Sequence, residues 1–293
     1  MLASQLGLAA NAVAFPEMQF VHRLLNAEYR QSRSVEQAYK DLVGHFRFRA
    51  AGLKMEKQLF IRAYESSSLA EVICSLIKQN APHLADAKEV VWIEHNPHNR
   101  DGVMDLLNAF PEALFVHIYR DPRAVYWSMK SNPRWKYGEP SKFANLWNDA
   151  VSKCYLYAQQ LTDRCLEICY EDYVSHPQEQ LIRLCEFVRL PYQESMLNGG
   201  GVRLPGYTEQ QHKLTTKPAD VSRIGRWQGR LSELEESYIK VHCYDWMRQY
   251  GYLTEQRQIR KFRGKEKLQF YFSGLKAKWQ AKFVRGYQNR MSV

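Results

Sequence analysis

The sequence contains no run approaching the ~20 apolar residues a membrane-spanning helix requires. Its N-terminus, Met1-Leu2-Ala3-Ser4-Gln5, has neither a basic segment nor a long apolar stretch, so no secretory signal is read there. Cysteine is sparse. The six residues, Cys74, Cys154, Cys165, Cys169, Cys185 and Cys243, form no C-x-x-C pair and no Cys/His zinc spacing. That excludes a thiolate metal site or dithiol motif and leaves a reduced, cytoplasmic protein as the default. Cys154 and Cys185 fall on apolar helix stripes and read as small buried thiols. No internal repeat or low-complexity tract is present, and no G-x-x-x-x-G-K-[ST] segment, which counts against a P-loop kinase.

What is present is ordinary globular composition with a basic surplus. Hydrophobic residues make up 45% and charged residues 25% of the 293 positions, enough chain to bury a real core. Lysine and arginine exceed aspartate and glutamate 41 to 31, a net charge of +10 that favours anionic partners such as a nucleotide, an acidic glycan, a lipid headgroup or nucleic acid. A solvated basic surface accounts for the same surplus.

Hydrophobic periodicity divides the chain into alternating strands and helices. Residues 1–8 read as part of a helix, Pro16 to about Tyr29 as a second, Ser34–Phe46 as a third and Ser68–Gln79 as a fourth, with Leu69, Val72, Ile73, Leu76 and Ile77 on one face. Three apolar runs, Glu89–Ile93, Leu114–Tyr119 and Cys165–Tyr170, read as buried strands of one parallel sheet flanked by helices. Ser141 is read as the cap of a long helix with the stripe Phe143, Trp147, Val151 and Cys154, and Pro177 as the first turn of the next. The stretch from Asn198 to about Asp220 reads as a long loop, followed by a helix near Ser232. The expected domain runs over 1–255. The tail over 256–293 interleaves Arg and Lys with Phe262, Phe270, Tyr271, Phe272, Trp279 and Phe283. It reads as a solvated helical face, a membrane-surface segment or an anionic acceptor site, with nucleic-acid binding ranked last.

The segment richest in chemistry is Leu114 to Ser128. An apolar strand ends in Arg120, Asp121 can cap a helix and Pro122 suits its first turn. Ligands of open parallel sheets bind beyond the carboxyl ends of the strands, so Arg120 stands where a phosphate would sit, beside a helix N-terminus. Its planar fork meets a phosphate with two hydrogen bonds, and Ser128 adds a neutral donor. A simple Arg120–Asp121 ion pair at a strand end is the plain alternative.

This strand, with R-D-P-R and a serine eight residues after the first arginine, resembles the 3′-phosphate-binding motif of sulfotransferases. Three further segments agree in order: Phe110-Pro111-Glu112-Ala113, Tyr170-Glu171-Asp172-Tyr173 ahead of His176-Pro177, and Ser222-Arg223-Ile224-Gly225-Arg226-Trp227. The likeness is nearest the Golgi-type and bacterial carbohydrate or tyrosylprotein branch. The start of the chain resembles the segment just after that family's P-R-S-G-T-T loop, the cradle of the 5′-phosphosulfate. The expected fold is therefore α/β, a P-loop-type parallel sheet flanked by helices and missing its first central strand.

The resemblance implies transfer of a sulfuryl group from the co-substrate PAPS to an acceptor hydroxyl, expected on a carbohydrate or glycolipid, with no metal. The alternative is a truncated relative that binds a glycan or nucleotide without turnover. Glu17 matches an early glutamate that serves some branches as general base, against the reading of a first-turn glutamate favoured by the helix dipole. His95 stands where related enzymes carry a lysine, and either Glu94 or His95 is the second acid–base candidate. Arg120, Ser128, Tyr170 and Arg226 are assigned to the nucleotide, with Trp227 packing beneath Arg226. Tyr170 and Trp227 each also read as core residues. The expected location is cytoplasmic, with peripheral membrane contact through the basic tail as a second reading, or the Golgi lumen if an upstream anchor exists.

Overall fold

A computed structural model describes residues 1–293 except 19, 67, 85, 133–137, 203–216, 257–259, 273–274 and 276–293. In chain order it contains α1 (Leu2–Leu6), β1 (Ala12–Ala14), α2 (Phe20–Leu25), α3 (Ala27–Ser32), α4 (Val35–Gly44), α5 (Phe46–Ala50), α6 (Lys57–Glu65), α7 (Leu69–Asn80), β2 (Val91–Ile93) and α8 (Val103–Ala109). It continues with β3 (Phe115–Tyr119), α9 (Pro122–Ser131), α10 (Pro140–Gln160), β4 (Cys165–Cys169), α11 (Tyr170–Ser175), α12 (Pro177–Phe187), α13 (Glu233–His242) and α14 (Tyr244–Gln249). The chain forms two compact units, Met1–Phe115 with Ser175–Ala219, and Val116–Val174 with the described residues from Asp220 on. The boundary expected near 256 falls inside the second unit. The Lys276–Arg285 part of the basic tail and the 203–216 part of the expected loop lie outside the described residues.

The first unit is mostly helical around a short parallel pair. β1 pairs with β2 in the register Ala12↔Val91, Val13↔Trp92, Ala14↔Ile93, and Ala14 also carries an isolated parallel bridge to Val202. The helices start where local chemistry lets them. Ser34 closes a capping box with Gln37 ahead of α4, and the Ser68 side chain accepts from the Glu71 amide ahead of α7. The expected helix over 16–29 is two helices, because Asn26 stops α2 and caps α3 through the Tyr29 amide. Phe20, Leu42, Phe48, Phe60, Ile73 and Leu76 fill the core between these helices. The other end of the unit is fastened by Ser4: its carbonyl accepts from the Gly201 amide at 2.7 Å and its hydroxyl from the Gly200 amide at 2.8 Å.

The second unit places β3 beside β4 in a two-stranded sheet. The three strands read from sequence therefore do not share one hydrogen-bonded sheet; β2 takes the unforeseen three-residue strand β1 instead. Pro140 occupies the first turn of α10, so Ser141 is inside the helix and donates to Glu139 rather than capping. Phe143, Trp147 and Val151 of α10 pack with Tyr126, Ile239 and Met247. Glu235 ties α13 to α9: it closes a capping box with Ser232 and accepts from the Tyr126 hydroxyl at 2.9 Å and from Lys130 at 2.6 Å. No helix among the described residues is long and apolar enough to cross a membrane.

Candidate functional site

In the second unit the end of β3 behaves as its sequence dictates. The Asp121 carboxylate accepts from the Arg123 amide at 2.8 Å and Pro122 fills the first turn, so α9 starts two residues after Arg120 emerges from the strand. Tyr170 comes after β4 in the same way. The Arg120 guanidinium stacks over the Tyr170 ring at 4.1 Å, and the Asp121 amide donates to Glu171 at 3.2 Å. Residues just past both strands thus meet, which is the arrangement of a parallel pair. A polar network spans the sheet behind them. His117 contacts Glu167 at 2.9 Å, Tyr250 donates to the same oxygen at 2.7 Å, and Tyr252 donates to Glu171 at 2.8 Å.

The arginines differ in how far they are engaged: Arg123 fully, Arg223 through an ion pair of its Nε with Asp220 at 3.7 Å, and Arg120 with its Nε open. Arg123 binds both oxygens of Asp121, at 3.0 and 2.8 Å, and lies 4.3 Å from the centre of the Trp227 ring. Arg120 donates to the Arg223 carbonyl at 3.4 Å, while the Nε groups of Arg120 and Arg223 are both buried without a hydrogen-bond partner. Buried donors are nearly always satisfied, and the open Nε of Arg120 fits an anion such as a phosphate. Of the residues singled out in the sequence, Arg120 and Tyr170 meet, and the residue of the late segment that contacts Arg120 is Arg223. Arg226 is exposed, and Trp227 packs beneath Arg123. Ser128 is exposed on α9 and shares no described contact with Arg120.

In the first unit the parallel register brings the ends of β1 and β2 to the same side, so the segments that leave them converge. Glu17 leaves β1; Glu94 and His95 leave β2. Glu17 lies ahead of α2, whose first turn carries no acidic residue, so the helix-dipole reading does not describe it. Its charge is met by Arg47 of α5, at 2.5 Å. Nothing local in the sequence marks Arg47 as a partner 30 positions away.

Glu94 sits in a different environment. Both carboxylate oxygens are buried without a hydrogen-bond partner. Burial pushes its pKa up to about 8 and the nearby Glu17 carboxylate acts in the same sense, while the approaching amides of Met18 and Asn96 offset part of the shift. His95 is moved the other way, since burial disfavours its cation, with Glu17 opposing that effect. His95 Nε2, Trp92 Nε1 and Asn96 Nδ2 are also buried without partners. The unpaired polar atoms thus gather at the end of β2, where a bound molecule would complete them. Among the described residues no three His, Cys, Asp or Glu side chains are grouped to hold a metal ion.

Comparisons with known proteins bear on the family and the fold. The profile described as Sulfotransferase family matches residues 1–194. Protein-tyrosine sulfotransferase 1 of Danio rerio is 29% identical over 137 residues, covering 43% of this chain and 38% of that protein. Protein-tyrosine sulfotransferase of Drosophila melanogaster is 25% identical over 206 residues, covering 62% of this chain and 39% of that protein. The chain thus spans about two fifths of the length of these curated relatives. Among solved structures, the sulfotransferase domain from the curacin biosynthetic pathway superposes with a TM-score of 0.59 at 16% identity, covering 87% of this chain and 93% of that one. The sulfotransferase domain from the Synechococcus PCC 7002 olefin synthase gives 0.55 at 16% identity, covering 84% and 96%. These two likenesses establish an α/β fold of the sulfotransferase-domain type. With two thirds of its length matched by the family profile, the chain belongs to the sulfotransferase family.

Proposed function

We propose that the protein is a PAPS-dependent sulfotransferase that moves a sulfuryl group to an acceptor hydroxyl. The observation that carries this reading is the buried, unpartnered Nε of Arg120, whose guanidinium lies over the Tyr170 ring and meets the Arg223 carbonyl, within a chain of this family. Arg120 and Arg223 would hold the 3′-phosphate and Tyr170 would orient the Arg120 fork against it. Ser128 and Arg226, both exposed, are assigned to the nucleotide on the family resemblance. PAPS supplies an activated sulfuryl group on a phosphate leaving group, so the protein need only position the reactants and handle one proton.

Glu17 takes that proton. It is held in place by Arg47, and a base must lie within hydrogen-bond reach of the acceptor hydroxyl. His95 donates a hydrogen bond to charge that develops during transfer, in the role of the lysine that related enzymes carry there. We take the acceptor to be the phenol of a protein tyrosine instead of a carbohydrate or glycolipid hydroxyl, a reading supported by the relatives named as protein-tyrosine sulfotransferases.

The test is an assay of PAPS-dependent transfer to tyrosine peptides and to a glycan panel. It uses the chain alone and with an N-terminal extension carrying a P-R-S-G-T-T-type loop. Transfer to tyrosine peptides that is lost in Glu17→Gln supports the proposal. Transfer confined to glycans would restore the carbohydrate reading, and no transfer in either form would overturn the enzymatic one.

A further inference from the structure

We propose that Glu94 is the neutral member of a carboxyl pair with Glu17, held as a protonated acid so that the proton-accepting site carries one negative charge instead of two. The consequence for turnover rests on the sulfotransferase reading; the protonation state does not.

The geometry separates the two carboxyl groups. Glu17 is paired with Arg47, the cation that α5 presents to it. Glu94 has no ion pair among the described residues, and its two buried oxygens make no well-formed hydrogen bond, with only the approaching Met18 and Asn96 amides near them. An ionised carboxylate in that position would lose its hydration with only two approaching amides to replace it, which favours the protonated form. The groups around it favour the same outcome. The Glu17 carboxylate, from the segment after β1, opposes a second negative charge at Glu94. His95, adjacent on the chain, is itself kept neutral by burial and so offers no compensating cation. The Met18 and Asn96 amides supply only partial dipoles, and the upward displacement of the Glu94 pKa to about 8 is the net result.

A neutral Glu94 suits the reaction. The sulfuryl group is anionic as it moves, and the acceptor oxygen becomes more negative as its O–H proton passes to Glu17. The new bond forms between that oxygen and sulfur; the bond from sulfur to the bridging oxygen breaks, and its electron pair leaves with the 5′-phosphate. Glu94 keeps its proton throughout. It is a positioning residue: ionising it would place a second carboxylate charge near Glu17 and repel the incoming anionic group.

The experiment is a ¹³C titration of the full chain labelled at the glutamate carboxyl carbons, from pH 5 to 10, in wild type, Glu94→Gln and Glu17→Gln. One resonance is expected to titrate near pH 8 in the wild type, to be missing in Glu94→Gln, and to move to lower pH in Glu17→Gln. If every glutamate resonance completes its titration below pH 6, the proposal is overturned, whether or not the chain transfers sulfate. The Glu17→Gln shift keeps the test decisive if Glu94→Gln does not fold. Where turnover is measurable, the wild-type rate should fall as pH rises through 8, and that alkaline fall should vanish in Glu94→Gln. An alkaline fall that persists in Glu94→Gln overturns the link between Glu94 and turnover while leaving the sulfotransferase reading intact.

Discussion

The Arg120 guanidinium lies 4.1 Å from the centre of the Tyr170 ring, although 50 residues separate the two in the chain. Each comes directly after a strand, and the side-by-side placement of β3 and β4 delivers a cation and an aromatic face to one point. Stacking leaves the edge of the guanidinium available, and its Nε has no partner. An arginine held against an aromatic ring, with one nitrogen on the Arg223 carbonyl and its Nε open, is prepared for an anion contact.

Arg120→Ala is therefore expected to weaken binding of adenosine 3′,5′-bisphosphate by about 1.5–3 kcal/mol, the range for hydrogen bonds to charged groups. Tyr170→Leu removes the stack and keeps the arginine, and should cost about 0.5–1 kcal/mol. Isothermal titration calorimetry at fixed salt measures both. Affinities equal to the parent would remove this pair from the nucleotide site.

The contact between α1 and the triglycine segment gives a prediction about stability. A Cβ on Gly201 would overlap the Gly7 carbonyl carbon and stand 2.7 Å from the Ser4 carbonyl oxygen, both rigid backbone. Gly201→Ala should destabilise the protein by about 1–3 kcal/mol, the usual cost of overpacking. Gly44, in the last turn of α4 with open space around it, is the control, and its replacement by alanine should be neutral or stabilising by up to about 1 kcal/mol. Urea melts of the two variants should therefore move in opposite directions or differ by that margin.

His117 predicts an alkaline loss of stability. Burial works against its charge, but the Cys154 and Glu167 side chains outweigh it and lift the pKa to about 9. In the unfolded chain histidine titrates near ~6.5. Below that pH both states are protonated and the contribution is complete. Between about 6.5 and 9 the folded protein holds a proton that the unfolded chain has released, so stability falls as pH rises, by about 2–3 kcal/mol over the window. His117→Gln should flatten this part of the curve. An unchanged slope would show that the imidazolium–Glu167 pair does not contribute.

Much of the frame is legible in the sequence. Ser34, Ser68, Asp121, Pro177 and Ser232 all read as helix starts, and each stands at or just inside one. Caps and first-turn prolines act within three or four residues, so local chemistry suffices to place them. Strand β1 escapes because three residues are too few to show a period. The split of α2 from α3 at Asn26 is hidden inside a continuous apolar pattern. In the site, Arg120 and Tyr170 are visible because each ends a strand, but Arg47 and Arg223 are not.

By itself, the sequence determined where helices begin, which runs are buried strands, and that an arginine stands between a strand end and a capped helix. Each of these depends on neighbours a few positions away. Tertiary structure alone decided which strands pair, that Arg223 meets Arg120 across 103 residues, that Trp227 lies under Arg123, and that Glu17 is paired while Glu94 is not. Those outcomes depend on desolvation and on charges brought together from distant parts of the chain. The two glutamates are the same residue type, and only their surroundings leave one ion-paired with Arg47 and the other buried without a partner.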